Sequence, residues 1–358
     1  MKERRHNQQR TKIITTGGCG YIGSHTLVEL LVAGYDPVSI DDNSRSSESV
    51  LDGVEKINQK RVKNYQVDLR NAQLTEACFS ENRDALAVIH FAAYKTVPES
   101  VARPLLYYDN NINSLLNVLI CTDKYRIPYF VFSSSCAVYG NAKELPVTED
   151  TPFGDAESPY ARTKQMGEHI IRDFSKVSQT SFVSLRYFNP VGAHPSAEIG
   201  ELPYGEPDNL VPRITRTAIG KLPAFVVHGN DYDTRDGTCI RDYIHVSDIA
   251  RAHILAIDYL EKSKIQNPKS KIQTFNLGSS TGTTVLEAIR AFEDATGRKL
   301  NYRFGPRRAG DPAAVYSDNR SAETILGWRP ERGIDEMMST AWLWEQRMKV
   351  KVKAKVEK

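Results

Sequence analysis

"KIITTGGCGYIGSHTLVELLVAG", Lys12–Gly34, joins a short β-favouring run to a glycine cluster and then to apolar residues at helical spacing. Gly18, Gly20 and Gly23 fall in a Gly-x-Gly-x-x-Gly pattern between the strand and the helix, with Gly17 just ahead of it. In that setting Gly18 permits a tight turn and Gly20 the close approach of a pyrophosphate. Gly23 lets the helix pack on the strand. The helix N-terminus adds unpaired amides and a partial positive charge facing the phosphates. The stretch predicts a dinucleotide-binding α/β domain.

The rest of the first half repeats the alternation. Strands are predicted at 36–41, 64–68, 86–93, 129–135 and 180–190, with helical stretches between them. Each strand is almost wholly apolar, as in a parallel sheet covered on both faces. Past Pro190 the texture changes to loops rich in Gly, Pro and Asn around one helix, "NLVPRITRTAIG". "IHVSDIARAHILAIDYL" reads as a strong helix, "TFNLG" as a strand and "TVLEAIRAFEDATG" as a helix closed by Gly297. A last helix is predicted near 333–348. The fold class is α/β, a Rossmann-type doubly wound parallel sheet with a smaller carboxyl-terminal α/β substrate-binding lobe. The boundaries are a basic tail at 1–11, a cofactor domain at 12–189, a substrate lobe at 190–346 and a basic tail at 347–358.

An acidic residue at the end of the second strand binds adenosine ribose hydroxyls in such folds. Asp41 stands there, followed by Asp42. Carboxylates at that place repel a 2′-phosphate, so NAD is the expected cofactor, although Arg45 lies close by. Asp68, at the end of the third strand, suits an adenine amino group.

The formal net charge of +3 belongs to the chain ends. Residues 1–12 hold five basic groups and one acidic, and residues 347–358 hold six and one, which leaves −6 between them. The ends read as solvated tails without aromatic or amphipathic pattern, so neither nucleic acid nor a membrane is an expected partner. Five scattered cysteines with no Cys-x-x-Cys argue against a disulfide framework or a zinc site. No metal is assigned. With no apolar signal segment, the expected location is cytoplasmic.

Ligands of open α/β sheets bind at the carboxyl ends of the strands. Ser133, Ser134 and Ser135 end the fifth strand. Downstream, "SPYARTK" offers Ser158 as an N-cap and Pro159 as the first helical residue. That puts Tyr160 and Lys164 on one helix face. With 17 tyrosines in the chain, about one Tyr-x-x-x-Lys arises by chance, so the pair needs its context. A phenol with an ordinary pKa near 10 needs ~4 kcal/mol of phenolate stabilisation to act near neutrality. An adjacent ammonium and a helix N-terminus can contribute to that.

Together these motifs resemble the extended short-chain dehydrogenase/reductase family. "HFAAYKTVPESV", "RYFNPVGAHPS", "GNDYDTRDGTCIRDYIHV" and "FGPRRAGDPA" resemble, more narrowly, its UDP-glucose 4-epimerases, from residue 12 to about 345. The resemblance implies NAD-dependent, reversible epimerisation at C4 of a UDP-hexose. Hydride passes to tightly bound NAD and returns to a 4-keto sugar. It assigns Tyr160 as the acid/base, Lys164 as its electrostatic partner and a ribose ligand, and Ser135 as a sugar-hydroxyl contact. Tyr21, Ile22, Asp41, Asp42, Asn43, Asp68 and Leu69 match cofactor contacts. So do Phe91, Ala92, Lys95, Asn110, Ser133 and Phe188.

Lys95, Asn189, Asn209, Leu210, Val226, Val227 and His228 match contacts to the UDP-sugar, as do Arg241, Arg308 and Asp311. The two arginines suit a diphosphate, and Asp311 suits ribose hydroxyls. Val315 falls where the family has either a tyrosine or a small residue beside the sugar. That implies room for a 2-acetamido group, and hence UDP-GlcNAc and UDP-GalNAc as further substrates. Dehydration of the sugar needs an acid–base pair where this chain has Cys136-Ala137, which disfavours a 4,6-dehydratase. The apolar stretches "LLYYDNNINSLLNVLI" and "GEHIIRDFSKV" pair across a homodimer in the family, so a homodimer is expected.

Overall fold

The computed structural model describes residues 11–356 apart from 203, 267–270 and 309–310. Residues 1–10 and 357–358 of the two basic tails therefore lie outside the described residues. The first half runs β1 (Lys12–Thr16), α1 (Tyr21–Val32), β2 (Asp36–Ile40), α2 (Val50–Asn58), β3 (Asn64–Tyr65), α3 (Ala72–Glu81) and β4 (Ala87–His90). It continues through α4 (Val97–Ala102), α5 (Pro104–Lys124), β5 (Tyr129–Ser135), α6 (Pro159–Ser175) and β6 (Ser181–Tyr187). The second half holds β7 (Asn189–Val191), α7 (Leu210–Ala218), β8 (Phe225–His228), β9 (Ile240–Arg241), β10 (Tyr243–His245) and α8 (Val246–Gln266). β11 (Ile272–Leu277), β12 (Thr283–Thr284), α9 (Val285–Thr296), β13 (Tyr302–Gly305), β14 (Ala314–Val315) and α10 (Ile334–Val356) complete the chain.

Seven strands form one parallel sheet in the order β11-β6-β5-β4-β1-β2-β3. Alternate side chains go to opposite faces. Ile13, Ile89, Val131 and Leu185 join the core under α1 and α8. Ile14, Val88, Phe130 and Phe182 join the core that takes in Phe79 of α3, Val118 of α5 and Ile171 of α6. Strand order reverses between β1 and β4, and a crevice for ligands opens at the carboxyl end of such a switch point. A third core gathers Val211, Phe225, Phe292, Met338 and Trp342 between α7, α9 and α10.

Five elements differ from the sequence expectation. The strand predicted at 180–190 splits into β6 and β7, which belong to different sheets. β3 covers only Asn64–Tyr65 and β4 only Ala87–His90, so Asp68 and residues 91–93 lie in loops beyond the sheet. Residues 243–245 are a strand paired with β7 rather than the start of a helix. There His245 Nδ1 accepts the Ser247 N–H at 3.1 Å and caps α8. The apolar spacing runs unbroken through this junction, which hides the boundary. Residues 347–356 of the basic tail continue α10 rather than fraying, consistent with good helix formers and with cations near a helix C-terminus. The chain also crosses back after Pro190, because β11 pairs with β6 at the edge of the large sheet. A cut at 189 does not by itself separate the two layers.

Candidate active site

The glycine loop is built by steric necessity. Gly17 adopts φ +70°, and a Cβ there would meet the backbone N of Ala92 at 2.8 Å. Gly18 lies against Ser39, and a Cβ on Gly23 would sit 2.2 Å from the Gly17 carbonyl oxygen. Gly20 differs: a Cβ there meets only the Gly17 oxygen, at 3.2 Å, and otherwise open space. No side chain caps α1 at its Gly20 end. A Cβ at 20 is thus tight against one backbone oxygen and otherwise faces open space, where a ligand phosphate has room to approach the bare helix end. We predict that Gly23→Ala pushes α1 off β1 and leaves most of the purified protein without nucleotide. Release of bound cofactor on denaturation, followed by absorbance, checks this.

Asp41 closes the other side of the crevice. It accepts hydrogen bonds from the Cys19 amide at 3.0 Å, the Asn43 amide at 3.0 Å and the Ser46 hydroxyl at 2.8 Å. Burial nonetheless pushes its carboxyl up from the usual range. Asp42 accepts from the Ser44 amide and hydroxyl, at 2.9 and 2.8 Å, and Asn43 turns the chain with φ +59°. Arg45 is taken up by Glu99 at 2.7 Å and lies over the rings of Tyr94 and Tyr204. It is engaged away from Asp41, which favours an unphosphorylated ribose. Asp68 is gripped by Arg70, which holds its carboxyl below the usual range. Its acceptors are therefore shared with that guanidinium. Leu69 is buried in the second core.

Beyond β4, Phe91 packs its ring 4.7 Å from that of His253, and Ala92 abuts Gly17. Asn110 donates to Asn111 Oδ1 at 3.0 Å. Asn111 in turn holds the Tyr94 amide at 2.8 Å and donates to the Thr163 hydroxyl at 3.0 Å, tying this loop to α6. The Tyr21 hydroxyl donates to the Gly192 carbonyl at 2.5 Å, and Ile22 packs on the first core.

Ser158 caps α6, accepting the Ala161 N–H at 3.2 Å, and Pro159 opens the helix. This presents Tyr160 to the end of β5, where the Ser135 side chain lowers the phenol's pKa while its hydroxyl accepts the Ala137 N–H at 3.2 Å. Burial pushes the Tyr160 phenol up to about 12 against the lowering effect of Ser135. Lys164 donates from Nζ to the Ser133 carbonyl at 2.6 Å and lies 6.0 Å from the Tyr160 ring centre. Burial lowers its pKa to about 8, while Glu168 opposes the fall. The ammonium's hydrogen bond thus goes to the strand backbone rather than to the phenol.

Across the crevice, Phe188 belongs to a small core with Val138, Tyr139 and Val147, and Val315 packs against it. Asn189 donates its N–H to the Asp242 carbonyl at 2.9 Å. Asn209 precedes Leu210 at the start of α7, and its side chain donates to Glu201 Oε1 at 3.2 Å. Val226 and His228 share one face of β8. Val227 faces the other way, buried in the third core, so of this residue only the backbone is left for a ligand.

Arg241 donates to the carbonyls of Ile240 and Pro312, and its Nη2 is 3.4 Å from Asp311. In register it lies beside Val315. Arg308 is exposed; burial lowers the His228 imidazole, the bond to the Pro306 carbonyl opposes this, and the Arg308 charge adds to the lowering.

Two residues here carry no sequence signal. Glu201 gathers Lys95, at 3.0 Å, and Asn209 on one carboxylate oxygen, and its carbonyl accepts from Trp344. Asp242 is fully buried and receives the amides and hydroxyls of Ser279 and Ser317.

Residues 14–341 match the family described as GDP-mannose 4,6 dehydratase. The UDP-glucose 4-epimerase of Bacillus subtilis is 46% identical over 334 residues, covering 93% of this chain and 96% of its own. The structure of UDP-glucose 4-epimerase from Bifidobacterium longum in complex with NAD+ and UDP superposes with a TM-score of 0.88 at 45% identity. It covers 94% of this chain and 98% of that one. The UDP-Glc/GlcNAc 4-epimerase of Campylobacter jejuni superposes with a TM-score of 0.80 at 34% identity, covering 94% and 99%. Beside Ser135, Ala137 has no ionisable group and burial drives the Cys136 thiol up to about 12. The chain belongs to the UDP-glucose 4-epimerase family of the extended short-chain dehydrogenases/reductases.

Proposed function

We propose that the protein interconverts UDP-glucose and UDP-galactose at C4, with NAD held in the crevice at the β1/β4 switch point. The observation that carries this reading is Tyr160 on α6 under the influence of Ser135, with the buried Lys164 Nζ 6.0 Å from its ring and bonded to the Ser133 carbonyl at the carboxyl end of β5. NAD, when bound, supplies the hydride acceptor and donor. Tyr160 takes the proton from the sugar hydroxyl and returns it, and Ser135 orients that hydroxyl. Lys164 provides a cationic field and a donor for ribose. Arg241, Arg308 and Asp311 are suited to hold the UDP part while the sugar stays free to turn over. Purified protein without added NAD is expected to convert UDP-galactose to UDP-glucose. No conversion with or without added NAD would overturn the reading.

Val315 supports a broader sugar range. It is a short side chain on β14, beside Arg241 in register and packed near Phe188, and a relative described as a UDP-Glc/GlcNAc 4-epimerase shares the fold. UDP-GalNAc is therefore an expected substrate. Val315→Tyr should lower kcat/KM for UDP-GalNAc by about 10–100-fold while leaving that for UDP-galactose within a few-fold. Equal loss on both sugars would remove the pocket argument.

The 81% exposure of Leu105 and the 63% exposure of Ile120 on α5 support a homodimer formed through this helix, which light scattering on the purified protein would test. Among the described residues no helix is long and apolar enough to cross a membrane. A cytoplasmic location is part of the proposal, and fractionation of the source cells would test it.

A further inference from the structure

The three serines that end β5 each hold a different group. The Ser133 carbonyl accepts from Lys164 Nζ at 2.6 Å, and Ser135 acts on the Tyr160 phenol. Between them, the Ser134 hydroxyl donates to Glu168 Oε1 at 2.5 Å. Tyr160, Lys164 and Glu168 follow one another at intervals of four on α6, so one helix face meets one strand end, two of its residues through hydrogen bonds. Glu168 is further gripped by Arg186, through Nε to Oε1 at 2.9 Å and Nη2 to Oε2 at 2.7 Å. Arg186 sits opposite Ser134 in the β5–β6 register and also donates to the Tyr139 hydroxyl at 2.8 Å.

The charges are costly where they stand. Lys164 is 5% exposed, Glu168 2% and Arg186 3%. Burying an ion costs several kcal/mol that only a good partner offsets. Arg186 has its partner in direct contact. The hydrogen-bond partner of the Lys164 side chain is a neutral carbonyl, and the charge that opposes its deprotonation is Glu168, one helical turn away. A hydrophobic pair in place of Glu168 and Arg186 would fill the same volume at lower cost, but it would leave the Lys164 ammonium without that carboxylate.

We infer that Glu168 is a positioning residue for the epimerase reaction. Anchored by Arg186 and Ser134, its carboxylate keeps the buried Lys164 protonated and registers α6 on the serine strand so that Tyr160 meets Ser135. This rests on the epimerase reading for its kinetic consequence, though not for its electrostatic one. Burial as the main effect on Lys164, with Glu168 opposing it, agrees with this direction.

The test is Glu168→Gln, which keeps the shape and removes the charge. Without the carboxylate Lys164 gives up its proton at lower pH, so the alkaline limb of kcat for UDP-galactose moves down by about one pH unit. Bound nucleotide content and the Kd for UDP stay as in the unmodified enzyme. The Nζ titration of Lys164, followed by nitrogen-15 NMR, shifts in the same direction without any turnover. It therefore separates this inference from the epimerase reading, which the unmodified enzyme's conversion of UDP-galactose tests by itself. Should the single variant not fold, Glu168→Gln with Arg186→Met removes both charges together, a change buried pairs tolerate, and the same downward shift is expected. A Lys164 titration unmoved in whichever variant folds would overturn the inference.

Discussion

Tyr160→Phe is expected to lower kcat for UDP-galactose by about 10³-fold or more, within the range that a positioned acid/base contributes. The variant loses one oxygen atom and keeps the ring, so cofactor content and the Kd for UDP should change little. The size of the effect follows from where the hydroxyl stands. Burial places its pKa at about 12, and Ser135 is the group that pulls it down. Working near neutrality from there requires ~7 kcal/mol of phenolate stabilisation, more than the ~4 kcal/mol required of a free phenol. The lowering by Ser135 is already contained in that value, so the stabilisation falls to the start of α6 and to the charge of the bound cofactor. Ser135→Ala should accordingly cost about 10-fold or more. Because Ser135 favours the phenolate, its loss raises the Tyr160 pKa and moves the acid limb of the pH profile to higher pH. A Tyr160→Phe enzyme within tenfold of the unmodified one would place the proton transfer on another group.

The parts of this site that could be read in the sequence are those whose chemistry is local. Gly18, Gly20 and Gly23 act within one strand–helix turn. Asp41 needs only to end β2, and the spacing from Ser158 to Lys164 is set by a single helix. Groups that meet through the fold left no such trace. Glu168 was one turn beyond the lysine, yet its function depends on Arg186, 18 residues later on another strand. Glu201 lies in an irregular loop and meets Lys95 from 106 residues away. Asp242 passed as the neighbour of an arginine, although it clamps two serine loops to β9 and β10. Strand alternation also decides what spacing by resemblance cannot: on β8 it turns Val227 inward while Val226 and His228 stay on the open face.

Lys164→Met should separate catalysis from stability. Activity is expected to fall by about 10²-fold or more, because the phenol loses its cationic neighbour and ribose its donor. The fold should respond in the opposite sense. An ordinary lysine titrates near 10.5, and burial brings Lys164 to about 8. The ammonium therefore costs the folded state ~3 kcal/mol.

The direction in pH follows from proton linkage. Below about pH 8 both folded and unfolded chains carry the proton, and the cost is fully present. Between about 8 and 10.5 the unfolded chain keeps the proton while the folded chain has released it. Stability rises there by ~1.4 kcal/mol per pH unit relative to a chain without this group. Methionine fills the volume without a charge, so the variant should gain most over the unmodified protein near neutrality and lose that advantage as the pH rises. Denaturant unfolding of both proteins across this window, with the epimerase assay alongside, measures the two effects together. If the two stability curves run parallel, Lys164 is not titrating in the folded state. If they converge while activity stays low in the variant, the buried ammonium is retained for the reaction at the expense of the fold.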